Sequence, residues 1–264
     1  NSDEALQRKT WFGLYQFANV KPGQMTGFSG RGKKRVEEIV QRKSTHLLPT
    51  DGPLVSVIVP NYNHADYLDE RISTIVNQTY KNIEVLLMDD CSPDESRSVL
   101  EQWAAKDDRL EVLFNEKNSG SPFAQWARGS AWAKGKYLWI AESDDACELD
   151  MLALHVDALE RNEKAVMAYS HSHLVDEEGA FLRDFREDYG FIFGDASRWK
   201  SDFTVEGKVE VARSIIFSNT VPNASGVLFR KSVFDHFSRI LKGLDNFRRQ
   251  NRFPREMFLQ IQLY

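Results

Sequence analysis

Residues 137–145 read YLWIAESDD, an apolar and aromatic run that ends in acids. Five apolar or aromatic residues, Tyr137 to Ala141, predict a strand buried on both faces, because a half-solvated strand would alternate with polar residues. The run ends abruptly in Glu142, Ser143, Asp144 and Asp145, so a core strand delivers a cluster of acids to its C-terminal end. In an open α/β sheet that edge borders the crevice where ligands bind. Carboxylates crowded there repel one another unless a cation lies between them, and hard oxygen donors suit Mg²⁺ or Mn²⁺ better than zinc. The competing reading is a solvated acidic turn in which Asp144 or Asp145 caps the next helix.

Upstream, the same logic repeats. Residues 54–59, LVSVIV, form a β-branched run stopped by Pro60 and Asn61. A helix with Leu68, Ile72, Ile75 and Val76 on one face follows, then a second apolar strand over 83–88 that ends in Asp89 and Asp90. CSPDES supplies start signals for a helix over 95–105, 110–114 is a third strand, and NEKNSGSP is a turn-rich loop before a small-residue helix over 122–134. Strands alternating with helices predict a mostly parallel, doubly wound, Rossmann-like sheet with helices on both faces. Three strand ends then present Asn61 to Asn63, Asp89 with Asp90, and Glu142 to Asp145 on one edge. For Asp89 and Asp90 the alternative is that one caps the following helix and the other is exposed. The absence of GxGxxG after Val59 argues against a dinucleotide-binding domain.

The totals bound the function classes. A chain of 264 residues, 42% hydrophobic, can bury a real core. Its net charge of -5 and pI near 5.8 argue against nucleic acid as partner, since counterion release needs a basic face. No apolar run approaches the about 20 residues needed to cross a bilayer. Cys91 and Cys147 lack metal-site spacing and read as reduced thiols of a cytoplasmic protein. Residues 1–51 differ in character: Leu6, Trp11, Leu14, Tyr15 and Ala18 suggest a helical stripe, and 36–40 a second helix, so this part reads as an N-terminal helical, basic extension or linker. GFSGRGKK, residues 27–34, departs from the phosphate-loop pattern, because Lys34 stands where Ser or Thr should be and no strand precedes it. Its basic residues read as a solvated face, with contact to anionic lipid, hence peripheral membrane association at the inner face, as the alternative. LPTDGP at 48–53 marks the boundary to the α/β part.

The ordered stretches VSVIVPNYNHADYL, IEVLLMDDCSPDES and NSGSPFAQWARGSAWAKGKYLWIAESDD resemble the family 2 glycosyltransferases of the GT-A fold, from Leu54 to about Asp150. The resemblance implies an enzyme of hexosyltransferase type that moves a sugar from a nucleotide diphospho-sugar donor to a glycan or lipid-linked acceptor, with inversion and a Mg²⁺ or Mn²⁺ cofactor. Surface polysaccharide assembly is the setting it implies. It places Pro60, Tyr62 and Asn63 against the base, Asp90 on the base edge with Asp89 in support, and Asn118, Gly120 and Gln125 beside ribose and diphosphate. Asp144 and Asp145 match the DxD-type metal motif, here ESDD, with Asp145 as the direct ligand. Residues 52–150 would be the nucleotide-sugar half and 151–264 the acceptor-binding half of one domain, in a piece of a longer multidomain chain.

On the acceptor side, 149–161 predicts an amphipathic helix and 165–170 a strand, and VDEEGAFL predicts a hairpin turning at Glu178 and Gly179. His171 and His173, two apart, share a strand face and read either as a metal pair or as ordinary packing. The aromatic stretch 181–203 reads as a lid or acceptor platform, or else as a buried subdomain, and 205–217 and 231–240 as helices. TVPNASGVLF resembles the family's acceptor segment, which puts Asn223, Ser225 and Gly226 near the transferred sugar. Relatives usually continue with an acid followed by Trp as catalytic base. Here LDNFRRQNRFPREMFLQIQLY lacks that pair, so Glu256, ahead of an apolar run, is the first candidate and Asp245 the second. A catalytically inactive GT-A binding module is the alternative function. A sugar nucleotidyltransferase would want a glycine-rich basic loop after the first strand, and PNYNHAD offers none.

Overall fold

The computed structural model describes residues 10–12, 48–176, 179–185, 197–215, 220–236 and 238. In chain order the strands are β1 (Thr10–Phe12), β2 (Val55–Asn61), β3 (Ile83–Asp89), β4 (Leu110–Phe114), β5 (Tyr137–Ile140), β6 (Ala146–Cys147), β7 (Met167–Tyr169), β8 (Ser172–Val175), β9 (Phe181–Asp184) and β10 (Val227–Arg230). The helices are α1 (Ala65–Val76), α2 (Ser96–Ala104), α3 (Pro122–Trp132), α4 (Met151–Arg161) and α5 (Gly207–Glu210), the last running into a π-helical turn, Val211–Ile215.

The central sheet has the order β4-β3-β2-β5-β10-β7. β2 pairs in parallel with β3 and β5, β3 in parallel with β4, and only β10 runs against its neighbours. The chain winds outward from β2 to β3 and β4, then returns to the other side of β2 with β5. All seven residues of β2 are buried, because both of its faces are covered. Val55, Val57 and Val59 pack with Leu68, Ile72 and Ile75 of α1 and Leu100 of α2. Ile58 points the other way, toward Leu86, Met88, Leu138 and Ile140, where Trp126 and Trp132 of α3 close the layer. Helices thus cover both faces, as the alternation of elements predicts. α3 starts on Ser121, whose hydroxyl accepts the Ala124 N–H at 3.4 Å, with Pro122 in the first turn. At the turn into β5, Gly135 lies against backbone: a Cβ there would sit 2.6 Å from the Leu54 carbonyl oxygen.

The described residues that follow the acidic turn share this core rather than forming their own. β10 lies between β5 and β7, and Leu152, Val156 and Leu159 of α4 join the α1 side of the core. A second sheet has the order β6-β1-β8-β9. Within it the VDEEGAFL hairpin forms, with β8 antiparallel to β9 and Gly179 at φ 79. Of the N-terminal extension 10–12 and 48–51 are described, and 10–12 is a strand rather than part of a helix, pairing in parallel with β6 and antiparallel to β8. Pairing on both sides satisfies its backbone, where the apolar spacing suggests a helical stripe. The predicted helix at 36–40 and the basic stretch lie outside the described residues. So do residues 186–196 of the aromatic stretch, of which β9, with Phe181 exposed, and Trp199, buried, are described. Cys91 is exposed and Cys147 buried, and both are free.

His155 of α4 is buried with its Nε2 2.6 Å from Ser170 Oγ, and burial pushes its pKa down to about 3. Its Nδ1 has no hydrogen-bond partner among the described residues, so a proton there would bury an uncompensated charge. The unfolded chain takes that proton near pH 6.5 and the folded chain does not until about pH 3, so this group lowers stability as pH falls through that window. His155→Gln should flatten the acid side of the stability curve by up to about 1.4 kcal/mol per pH unit between pH 6 and 4, read by denaturant titration. Identical slopes for the two proteins would contradict this.

Candidate functional site

The strand order reverses between β2 and β5, and the crevice of an α/β sheet opens at the C-terminal ends of such a pair. Every polar strand end foreseen in the sequence arrives there. Asn61 closes β2, and Asp90 follows β3 with its N–H donated to the Asn61 carbonyl at 2.9 Å. His64 Nδ1 lies 2.8 Å from Ser143 Oγ, which ties the loop after β2 to the acidic turn after β5. Tyr62 projects from this loop and is 48% exposed. Beside it lies an open cavity of about 250 Å³ bounded by Asn63, His64, Tyr67 and Asp94.

The two aspartates after β3 are both buried, so neither is the exposed acid of the competing reading. Asp89 accepts from Asn61 Nδ2 at 2.9 Å and from the Ser92 N–H at 3.0 Å, and Ser92 Oγ in turn accepts the Asn63 N–H at 2.9 Å. It therefore shapes the loops around the crevice. Asp94, not Asp89 or Asp90, receives the N–H groups of Ser96 and Ala65 at 3.0 and 2.9 Å. Burial pushes the Asp94 carboxyl up, but these hydrogen bonds outweigh it and hold the group below its ordinary range.

Asp90 gathers the loop after β4. Its Oδ1 accepts from Asn115 Nδ2, from the Ser119 N–H at 2.8 Å and from Gln125 Nε2 at 2.9 Å, and its Oδ2 from Ser119 Oγ at 2.7 Å. That uses about all the lone pairs a carboxylate has. Asn118 Oδ1 accepts the Gly120 N–H at 2.6 Å and folds the loop back, with Gly120 at φ 63. Asn63 and Cys91, at φ 60 and 62, hold the same left-handed conformation at the other two strand ends. For residues with a Cβ this costs on the order of 1 kcal/mol each and concentrates at functional loops. Two buried oxygens at this edge, Asn61 Oδ1 and Gln125 Oε1, have no hydrogen-bond partner among the described residues.

The turn 142–145 does not cap a helix: α4 begins after Asp150, six residues beyond Asp144. Asp145 is 8% exposed. Glu142 accepts from Trp126 Nε1 at 2.8 Å and donates its N–H to Ser225 Oγ at 2.9 Å. Burial, joined by the negative charges of Asp145 and Asp144, pushes Glu142 up to about 7, against the Trp126 hydrogen bond and the Arg71 charge. Glu142 thus feels the charges of Asp144 and Asp145, and the carboxylates of this turn are hard oxygen donors of the kind that suits a divalent cation. Asn223 Oδ1 accepts the Gly226 N–H at 2.9 Å, and its Nδ2 reaches Ser172 Oγ at 3.4 Å. Ser225 is fully buried, and its carbonyl accepts from Trp139 Nε1 at 2.6 Å, so it positions the acidic turn from below. Pro60 is buried within β2, at the mouth of the crevice. Glu256 and Asp245 lie outside the described residues.

Glu142 was named in the sequence as first acid of its cluster, but two other residues that shape this edge escaped that reading. Gln78, fully buried, donates to the Glu148 carbonyl at 2.8 Å and accepts the Leu152 N–H at 3.0 Å, pinning the chain just beyond the turn. Arg71 is fully buried with its guanidinium 5.0 Å from the Trp139 ring, and its nitrogens have no hydrogen-bond partner among the described residues. Nothing in its helix signalled that, because it flanks an ordinary apolar stripe.

The family model described as "Glycosyl transferase family 2" matches residues 56–220. The chain belongs to glycosyl transferase family 2. Among its relatives is TuaG of Bacillus subtilis (strain 168), named for teichuronic acid biosynthesis, which is 32% identical over 133 residues, 50% of this chain and 52% of TuaG. The glycosyltransferase GlyG of Streptococcus pneumoniae is 34% identical over 128 residues, 48% of this chain and 42% of GlyG. The chain spans about half the length of these curated relatives. TarS residues 1–349 from S. aureus superimpose with a TM-score of 0.51 at 20% identity over 69% of this chain and 48% of that one, a likeness of fold. The GT-A architecture expected from the resemblance is therefore present.

Asp90 builds the site as well as facing it. Asp90→Ala should leave the Ser119 N–H without its acceptor and Gln125 Nε2 with Ser119 Oγ alone, costing about 1–3 kcal/mol. Without any ligand, thermal unfolding should shift down by several degrees, at roughly 2–4 °C per kcal/mol. An unchanged midpoint would mean that Asp90 serves ligand alone.

Proposed function

We propose that this chain carries the donor site of an inverting glycosyltransferase. It moves a hexosyl group from a nucleotide diphospho-sugar to a hydroxyl of a glycan or lipid-linked acceptor. The observation that carries this reading is the convergence, at one strand-order reversal, of Tyr62, Asp90 and the 142–145 acids. The name of TuaG supports surface polysaccharide assembly as its setting. We place the chain in the cytoplasm, at the inner face of the membrane. Among the described residues no helix is long and apolar enough to cross a membrane.

Tyr62 stacks on the nucleobase with Pro60 and Asn63 at its rim. Asp90 accepts from the base edge by giving up one of its own donors, Asn115 or Gln125, and Asp89 keeps the loops in place. Asn118, Gly120 and Gln125 border ribose and diphosphate. Asn223, Ser225 and Gly226 form the floor under the sugar. Asp145, with Asp144, holds Mg²⁺ or Mn²⁺, and when bound the cation supplies Lewis-acid stabilisation of charge on the departing diphosphate. The acceptor oxygen bonds to the anomeric carbon as the bond to the diphosphate oxygen breaks. Its proton passes to a carboxylate, Glu256 by first choice and Asp245 by second. One displacement without a covalent intermediate inverts the centre.

Calorimetric titration with UDP and GDP, with and without Mn²⁺, tests the donor site. Binding should tighten by more than about tenfold with Mn²⁺, and Asp145→Ala should abolish that gain. Equal binding by both proteins with or without the cation would overturn the assignment. Glu256→Gln should bind donor normally and fail in transfer, whereas unchanged turnover would pass the role to Asp245. Metal-dependent binding with no turnover in any acceptor mixture would make the chain a binding module instead.

A further inference from the structure

Away from the crevice, the second sheet brings together three side chains that the proposed reaction does not use. His171 immediately precedes β8 and His173 lies within it, so their two-residue spacing puts both rings on one face. The hairpin then sets Asp184 of β9 opposite His173 in the antiparallel register. The ligand atoms of all three lie within 4.8 Å of one another. His171 Nε2 contacts Asp184 Oδ1 directly, and the two imidazoles meet edge to face with centroids 5.6 Å apart. The cluster is sheltered: the His171 and Asp184 side chains are only 11% and 13% exposed, and the Phe181 ring packs 5.4 Å from His173. Ser172, between the histidines, faces the other way and is fully buried.

We propose that His171, His173 and Asp184 form a second metal site, for Zn²⁺, which clamps the β8–β9 hairpin. Two imidazoles and one carboxylate are a donor set of borderline softness, suited to zinc, whereas the acidic turn offers only hard oxygen donors. The two sites therefore sort their cations by chemistry. They are also separate in space. Ala146, next to Asp145, pairs with Trp11, and Trp11 pairs with His173, so two ladder steps, roughly 10 Å, lie between the backbones.

A tetrahedral zinc with bonds of about 2.1 Å needs its ligand atoms about 3.4 Å apart. From ligand atoms within 4.8 Å of one another, side-chain torsions that draw the three groups inward would reach that spacing. Zinc takes the place of the proton shared by His171 Nε2 and Asp184. The imidazole lone pair and the carboxylate oxygen each bind the cation, and the proton leaves to solvent. Three protein ligands leave a fourth position for water. β9 is the edge strand of its sheet, so a cation bridging it to β8 adds a cross-link where the ladder is weakest.

The test uses the full chain, stripped with a chelator and titrated with Zn²⁺ alone and Co²⁺ alone, without nucleotide. One Zn²⁺ per chain should bind and raise the unfolding temperature by mass action. Co²⁺ should give the intense visible bands of four-coordinate geometry, and Zn²⁺ should displace them. His173→Ala and Asp184→Asn should each weaken Zn²⁺ binding by more than about a hundredfold, and Asp145→Asn should leave it unaltered. Absence of stoichiometric zinc, binding undiminished in His173→Ala, or binding lost in Asp145→Asn would each overturn the site. If a variant fails to fold, the wild-type Co²⁺ spectrum decides, since featureless or octahedral absorption excludes the site. The crevice assignment does not enter into any of these readings.

Discussion

Parallel pairing of β2 with both β3 and β5 is the constraint on which the rest of the molecule depends. It places strand ends that are far apart in sequence side by side, and it does so with residues that have no chemistry of their own. Each fully buried aliphatic side chain in these strands contributes roughly 1.5–3 kcal/mol, and that apolar packing holds several buried carboxylates together at one edge. Without covered faces on both sides of β2, charge repulsion in the turn 142–145 would find an easy outlet in solvent.

The polar loops stiffen one another around this edge. Asp89 fixes Asn61 and Ser92, Ser92 fixes Asn63, Asp90 collects Asn115, Ser119 and Gln125, and His64 reaches across to Ser143. Few of these bonds would stabilise much alone, since a typical one is worth about 1 kcal/mol net. Together they define a rim in which Tyr62 is exposed while the acids beneath are not. Arg71 adds a buried positive charge under the turn, which offsets part of the repulsion felt by Glu142.

Much of this was legible in the residues. LVSVIV, IEVLLM and YLWIA announce core strands, because continuous apolar runs of that length belong to strands covered on both faces, and the polar residues that stop them mark the edge on which ligands of such sheets bind. The helical stripe of α1 was legible for the same periodic reason. What stayed hidden depends on pairings between distant segments. Nothing local in VLFR tells that β10 runs antiparallel between β5 and β7, and nothing in TWF tells that it joins a second sheet instead of extending a helix. The saturation of Asp90 follows from a loop 25 to 35 residues away, and Asp184 lies 13 residues from the histidine it meets. Such contacts are set by the tertiary fold, so composition and spacing could name the candidates without naming their partners.

On the function proposed above, the acids after β5 hold the cation of a nucleotide bound at the reversal between β2 and β5. Crystals grown with UDP and Mn²⁺ and measured for manganese anomalous scattering should show a peak about 2.1 Å from a carboxylate oxygen of Asp145 or Asp144, with the base against Tyr62. A nucleotide bound without that peak, or manganese found only between His171, His173 and Asp184, would contradict it.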